Sequence, residues 1–122
     1  MNKKIMVVDD DPDILVSVRE VFEKEGCKVI EANGGKECLS LLKNGDKPDV
    51  ILLDIMMPDI NGWDVFTKIK GKAGCKGIPV VFLTCKSDKY SKGFGKFSAD
   101  DYITKPFNIK DLKEKILDIL KD

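Results

Sequence analysis

Short apolar runs recur along the chain at Ile5–Val8, Val29–Ile30, Val50–Leu53, Val80–Leu83 and Tyr102–Ile103. The first, third and fourth are apolar at every position, as strands covered on both faces are. Between the runs, apolar residues return at helical spacing. Ile14, Leu15, Val18, Val21 and Phe22 make one stripe, opened by Asp11-Pro12 and closed by Gly26. Cys38, Leu41 and Leu42 make the next, closed by Asn44-Gly45. Trp63, Phe66 and Ile69 precede a loop rich in Gly and Lys, and Tyr90, Phe94 and Phe97 form a fourth stripe. Asn108 is placed to cap a last helix carrying Ile109, Leu112, Ile116, Ile119 and Leu120. Five strands alternating with five helices predict an α/β fold with a parallel sheet and right-handed crossovers. In such a sheet the working site lies beyond the carboxyl ends of the strands, near the point where strand order reverses.

Those ends carry a particular chemistry. The first strand runs into Asp9-Asp10-Asp11, the third into Asp54, the fourth into Thr84 and the fifth into Lys105-Pro106. A parallel sheet brings all of them to one edge. Three carboxylates crowded together are unfavourable unless something neutralises them. A hard divalent cation suits the task, and Mg²⁺ takes oxygen ligands while keeping several waters. Helix capping competes as an explanation for Asp11, because a carboxylate favours a helix amino end. It does not account for Asp54 or Lys105. An ionised Asp54 is itself a nucleophile, able to form an acyl phosphate when metal and lysine offset the donor's charge.

Composition narrows the classes further. The chain has 122 residues, the size of one domain over 1–122, with 43% hydrophobic and 34% charged residues. Lys plus Arg and Asp plus Glu are 21 each, for a net charge of zero. That argues against direct nucleic-acid binding, which needs a cationic excess. No apolar run is long enough to span a bilayer. The amino terminus lacks the apolar region and cleavage site of a signal peptide, so a cytoplasmic protein is expected. Cys27, Cys38, Cys75 and Cys85 form no C-x-x-C pair and are expected as reduced thiols. There is no histidine, which removes Ser-His-Asp and Cys-His catalysis.

Four stretches together resemble the receiver domain of two-component response regulators, the CheY-like family. They are Val7-Val8-Asp9-Asp10-Asp11-Pro12, Leu53-Asp54-Ile55-Met56-Met57-Pro58-Asp59-Ile60-Asn61-Gly62, Ile78-Pro79-Val80-Val81-Phe82-Leu83-Thr84 and Ala99-Asp100-Asp101-Tyr102-Ile103-Thr104-Lys105-Pro106-Phe107. They lie in order and cover essentially the whole chain. The resemblance implies a five-stranded parallel sheet of order 2-1-3-4-5 with five helices on its two faces. It implies that Asp54 receives a phosphoryl group from the phosphohistidine of a sensor histidine kinase or phosphotransfer protein. Asp10 would then bind Mg²⁺ (or Mn²⁺) directly, Asp9 through a water, with Asp54 and the backbone carbonyl of Met56 completing the protein ligands. Lys105 would pair with the phosphoryl oxygens, and Thr84 would donate its hydroxyl to them. Tyr102 would change rotamer as Thr84 moves, and the Lys105-Pro106 peptide would be cis. The output would pass to a downstream protein target through the face made by the fourth helix, fifth strand and fifth helix. The domain would be a monomer or a weak phosphorylation-dependent dimer, and not an enzyme beyond self-phosphorylation and autodephosphorylation.

Several positions depart from the family pattern. Cys85 follows Thr84 where Ala or Gly is usual and is expected to narrow access to Asp54. Ser98 stands where Gly is common. Met56 and Lys86 occupy positions that tune phosphoryl lifetime in the family. The fourth stripe carries Gly93 and Gly95, each costing about 1 kcal/mol in a helix, and Lys89, Lys92 and Lys96 opposite its aromatic face. A solvated basic face over a core stripe is expected there, with a loose, basic part of the output surface as the alternative. Two other functions share some residue types. A haloacid-dehalogenase-like phosphohydrolase also uses Asp, Mg²⁺, Thr and Lys, with a D-x-D pattern after its first strand that Asp9-Asp10-Asp11 could mimic, but no cap domain and little room for a substrate pocket are expected here. A flavodoxin-like flavin binder needs a Ser/Thr/Gly-rich phosphate loop, where Asp9-Asp10-Asp11 would repel the phosphate.

Overall fold

A computed structural model describes residues 2–85 and 101–121. Five strands form one parallel sheet: β1 (Lys4–Val8), β2 (Lys28–Ala32), β3 (Val50–Asp54), β4 (Val80–Cys85) and β5 (Asp101–Lys105). Their order is β2-β1-β3-β4-β5, as the resemblance implies. Four helices accompany them among the described residues: α1 (Pro12–Glu23), α2 (Gly35–Lys43), α3 (Gly62–Lys70) and α4 (Ile109–Leu120). The expected helix over 89–97, with Lys86, Gly93, Gly95 and Ser98, lies outside the described residues, as does the Cys85 side chain.

The sheet has a core on each face, which explains the unbroken apolar runs. On one face Met6, Val8, Ile51, Leu53, Val80 and Phe82 meet Cys38 and Leu42 of α2 and Val65, Phe66 and Ile69 of α3. On the other, Ile5, Val7, Val50, Leu52, Val81 and Leu83 meet Leu15, Val18 and Phe22 of α1 and Leu112, Ile116 and Leu120 of α4. Alternate residues of one strand thus feed opposite cores. Burying a side chain such as Leu52 or Phe82 contributes roughly 1.5–3 kcal/mol. Cys27, Cys38 and Cys75 are buried in these cores and take part in no disulfide. Burial pushes the Cys38 thiol up to about 12, so it is inert at neutral pH.

Helix ends follow the expected punctuation. The Asp11 side chain caps α1 by accepting from Asp13 N at 2.9 Å, Asn61 caps α3 through Asp64 N at 3.0 Å, and Asn108 caps α4. Gly26 closes the turn after α1 with φ 81°, a left-handed conformation that glycine adopts without strain. The Lys105-Pro106 peptide is cis. With this order, the reversal lies between β1 and β3, so the ends of those two strands flank the crevice.

Candidate phosphoryl-acceptor site

Asp54 is the last residue of β3, pairing with Leu83 of β4, and only 5% of it is exposed. Asp9 directly follows β1 and is fully buried, with its backbone N–H donating to Ala32 O at 3.1 Å. Asp10, next in the chain, is exposed. One carboxylate oxygen from each of Asp9, Asp10 and Asp54 lies within 4.8 Å of the others. Lys105, at the end of β5, reaches across β4 and β3 to this cluster. Its ammonium donates to Asp9 Oδ2 at 2.8 Å and stands 3.5 Å from Asp54 Oδ1. The other Asp9 oxygen accepts from Asp11 N at 3.0 Å.

The two buried acids therefore divide one cation unequally. Asp9 takes the close hydrogen bond and a backbone donor. Asp54 keeps a longer ion pair and a bond from Met56 N at 3.3 Å. Burial, then the charge of Asp9, push the Asp54 carboxyl from its ordinary 3.8 up to about 7, against the opposing pull of Lys105 and Met56 N–H. Burial works against the charge on Lys105, but its bond to Asp9 and the charges of Asp54 and Asp9 outweigh it and raise its pKa. The cluster is short of positive charge. Its donor set is oxygen only, from carboxylates on two neighbouring strand ends. That set fits a hard divalent cation such as Mg²⁺.

The other expected residues gather on the same edge. Thr84, two percent exposed, follows the β4 residue that pairs with Asp54. Tyr102 pairs with Phe82 and Thr104 with Thr84, so Tyr102 is on the Thr84 face of the sheet, two residues back along β5. It is half exposed, at 47%. Met56 is 60% exposed, on the loop that leaves β3. That loop is closed at its base by a bond from Gly62 N to Ile55 O at 2.7 Å. A Cβ at Gly62 would stand 2.5 Å from Asp54 O and 2.7 Å from Ile55 Cα, so α3 can begin this close to Asp54 only because residue 62 has no side chain.

Sequence reading passed over Asp59. Its carboxylate accepts from Gly35 N at 3.2 Å and Lys36 N at 2.9 Å, at the amino end of α2. A signal was present: α2 opens on Gly34, which has no side chain to cap it, so a cap from elsewhere was needed.

A family model described as the response regulator receiver domain matches residues 5–117. The alkaline phosphatase synthesis transcriptional regulatory protein PhoP of Bacillus subtilis is 36% identical over 122 residues, covering 99% of this chain and 50% of its own length. The response regulator SaeR of Staphylococcus aureus is 38% identical over 117 residues, covering 95% of this chain and 50% of its own. The chain thus spans about half the length of these curated relatives. Among solved structures, the response regulator protein TrrA of Thermotoga maritima, in complex with Mg²⁺-BeF, is similar with a TM-score of 0.82 and 36% identity, over 96% of this chain and 98% of that one. A CheY-like receiver domain protein of Methanospirillum hungatei is 40% identical, with a TM-score of 0.78 over 92% and 89% of the two chains.

Proposed function

Since this chain belongs to the response regulator receiver family and is a phospho-accepting signalling domain, we propose that Asp54 is the side chain that takes the phosphoryl group. The observation that carries this reading is the placement of Asp54: buried at the switch point of the sheet, beside two more acids and one lysine. An Asp54 oxygen attacks the phosphorus of a phosphohistidine on a histidine kinase or phosphotransfer protein. The new O–P bond forms as the P–N bond breaks, and its electron pair leaves on the imidazole nitrogen, which takes a proton from water. Lys105 offsets charge on the phosphoryl oxygens as a compact ammonium, and Thr84 supplies a hydroxyl donor.

The family binds Mg²⁺ at acidic residues. In this chain Asp10, Asp54 and the Met56 carbonyl would hold it, with Asp9 behind a water. The bound ion supplies charge neutralisation for acceptor and donor oxygens alike.

Receivers of this family interact with histidine kinases and with output domains. For this chain we assign the response to Thr84 and Tyr102. Phosphorylation adds about −1.5 to −2 charge, draws the Thr84 hydroxyl toward Asp54, and lets Tyr102 turn inward. The face around β5 and α4 is then altered for a downstream protein partner in the cytoplasm. No described helix is long and apolar enough to cross a membrane. The neutral charge speaks only for this stretch, since PhoP is about twice as long and is named a transcriptional regulator.

The test is incubation with acetyl phosphate and Mg²⁺, followed by intact mass. One phosphoryl mass is gained by the native chain and none by Asp54→Asn. An equal gain in Asp54→Asn overturns the assignment.

A further inference from the structure

We propose that Asp59 is a positioning residue for the cation site, clamping the loop that carries Met56 to the amino end of α2. The inference rests on the reading above, in which a backbone carbonyl of that loop is a metal ligand. A carbonyl cannot be aimed by choosing a rotamer. It is aimed only by the path of the chain, so whatever fixes the loop fixes the ligand.

The loop over 55–61 is anchored at its base near β3. Ile55 N donates to Leu83 O at 3.3 Å, and Gly62 N returns to Ile55 O at 2.7 Å. Its outer part is tied elsewhere. Asp59 Oδ1 accepts from Gly35 N at 3.2 Å and from its own neighbour Ile60 N at 2.8 Å, while Oδ2 accepts from Lys36 N at 2.9 Å. One carboxylate thus joins the loop to free N–H groups in the first turn of a helix 23 and 24 residues back in the chain. Such charge-assisted bonds, placed where the helix dipole favours an anion, are stronger than neutral ones.

The surroundings are shaped for this contact. At Gly34, a Cβ would come 2.8 Å from Asp59 Oδ2. At Gly35 it would come 2.6 Å from Val65 Cγ2 and 3.1 Å from Ile60 Cβ. Two consecutive glycines therefore let the helix end press onto the loop and onto α3. Glu37, in the first turn of α2, makes a separate local bond to the chain just ahead of the helix, accepting from Asn33 N at 2.9 Å. Asp59 is thus a second clasp on this helix end, and its other end is the loop.

Outer partners of metal ligands are commonly worth about 10–100-fold in metal affinity. The test is a Mg²⁺ titration of the full chain, by calorimetry and by the fluorescence of Trp63, its single tryptophan. Asp59→Ala is expected to weaken Mg²⁺ binding about tenfold, and Asp59→Asn, which keeps one acceptor oxygen, by less. Glu37→Ala removes that local bond to Asn33 without touching the loop. It lowers the melting temperature and leaves Mg²⁺ affinity within about twofold of wild type. Unchanged affinity in the Asp59 variants overturns the proposal, as does an equal loss in Glu37→Ala. A further readout needs no variant. Coupling is reciprocal, so Mg²⁺ should slow amide exchange at Lys36 and Ile60 in the wild type, and no slowing overturns the clasp. A wild-type chain that binds no Mg²⁺ defeats the proposed function as well, which separates the two failures.

Discussion

Asp54 and Asp59 stand five positions apart on one stretch of chain, and their surroundings drive them in opposite directions. Burial and the neighbouring charge of Asp9 raise the Asp54 carboxyl to about 7. Backbone N–H groups, that of Lys36 foremost, hold the Asp59 carboxyl below its ordinary range. Both are carboxylates leaving the same strand. One is crowded by like charge in a buried crevice, and the other meets several aligned donors in the open. The contrast separates a group held ready for chemistry from a group whose chemistry is already satisfied. Asp54 has electrostatic tension that a cation would relieve. Asp59 has none to release, and so it serves as structure.

The largest expected effect removes the tense carboxylate altogether. Asp54→Asn should abolish phosphoryl uptake, as should chelation of Mg²⁺ in the native chain, both read by intact mass after phosphodonor treatment. Uptake that survives chelation would show that Lys105 alone neutralises the site.

Next in size is Lys105→Met. It leaves Asp9 fully buried without its 2.8 Å partner and strips Asp54 of its nearest cation. Breaking a buried pair on one side costs about 3–5 kcal/mol, measurable by urea unfolding at pH 7. Phosphorylation should slow about a hundredfold, the scale of losing one charge-stabilising donor. A variant as stable as wild type would mean that Asp9 finds another donor.

Gly62→Ala tests how closely the acceptor is braced. A methyl 2.5 Å from Asp54 O forces the start of α3 away from β3, at about 1–3 kcal/mol. Thermal melting reads the cost. A slower phosphoryl transfer in the folded variant would show that the shift reaches the acceptor carboxylate.

The most graded effect is a pH dependence. Asp54 titrates near 7 in the folded chain and near 3.8 when released from the fold. Its raised pKa costs stability in full above pH 7, and the cost fades as pH falls through 7 toward 4. Without Mg²⁺, Asp54→Asn should therefore melt several degrees above wild type at pH 8. The margin should shrink toward nothing by pH 4 and also on adding Mg²⁺ at pH 8. A margin independent of pH would assign the tension to packing rather than charge.

The sheet and its helices were readable because burial has a period. Unbroken runs such as Val50–Leu53 mark strands with two covered faces, and stripes such as Leu15, Val18 and Phe22 mark helix faces turned to a core. The convergence of Asp9, Asp54, Thr84 and Lys105 was readable for a related reason: each ends a strand, and parallel strands end together. Finer relations were not. That Lys105 sits closer to Asp9 than to Asp54 depends on sub-ångström differences in reach across two strands. That Asp59 caps a helix more than twenty residues behind it depends on the route of a loop, which no periodicity encodes. Exposure of Met56 is likewise a property of that route.

Asp9 and Lys105 are 96 residues apart, on strands separated by two others in the sheet. Their contact needs β3 and β4 to be seated between them. A chain with β5 detached would leave Asp9 buried among acids with no cation at hand. The pair therefore makes the proposed site a property of the completed sheet. Partly assembled forms would be penalised by their own charge, and phosphoryl-accepting chemistry would appear only once the last strand is in register.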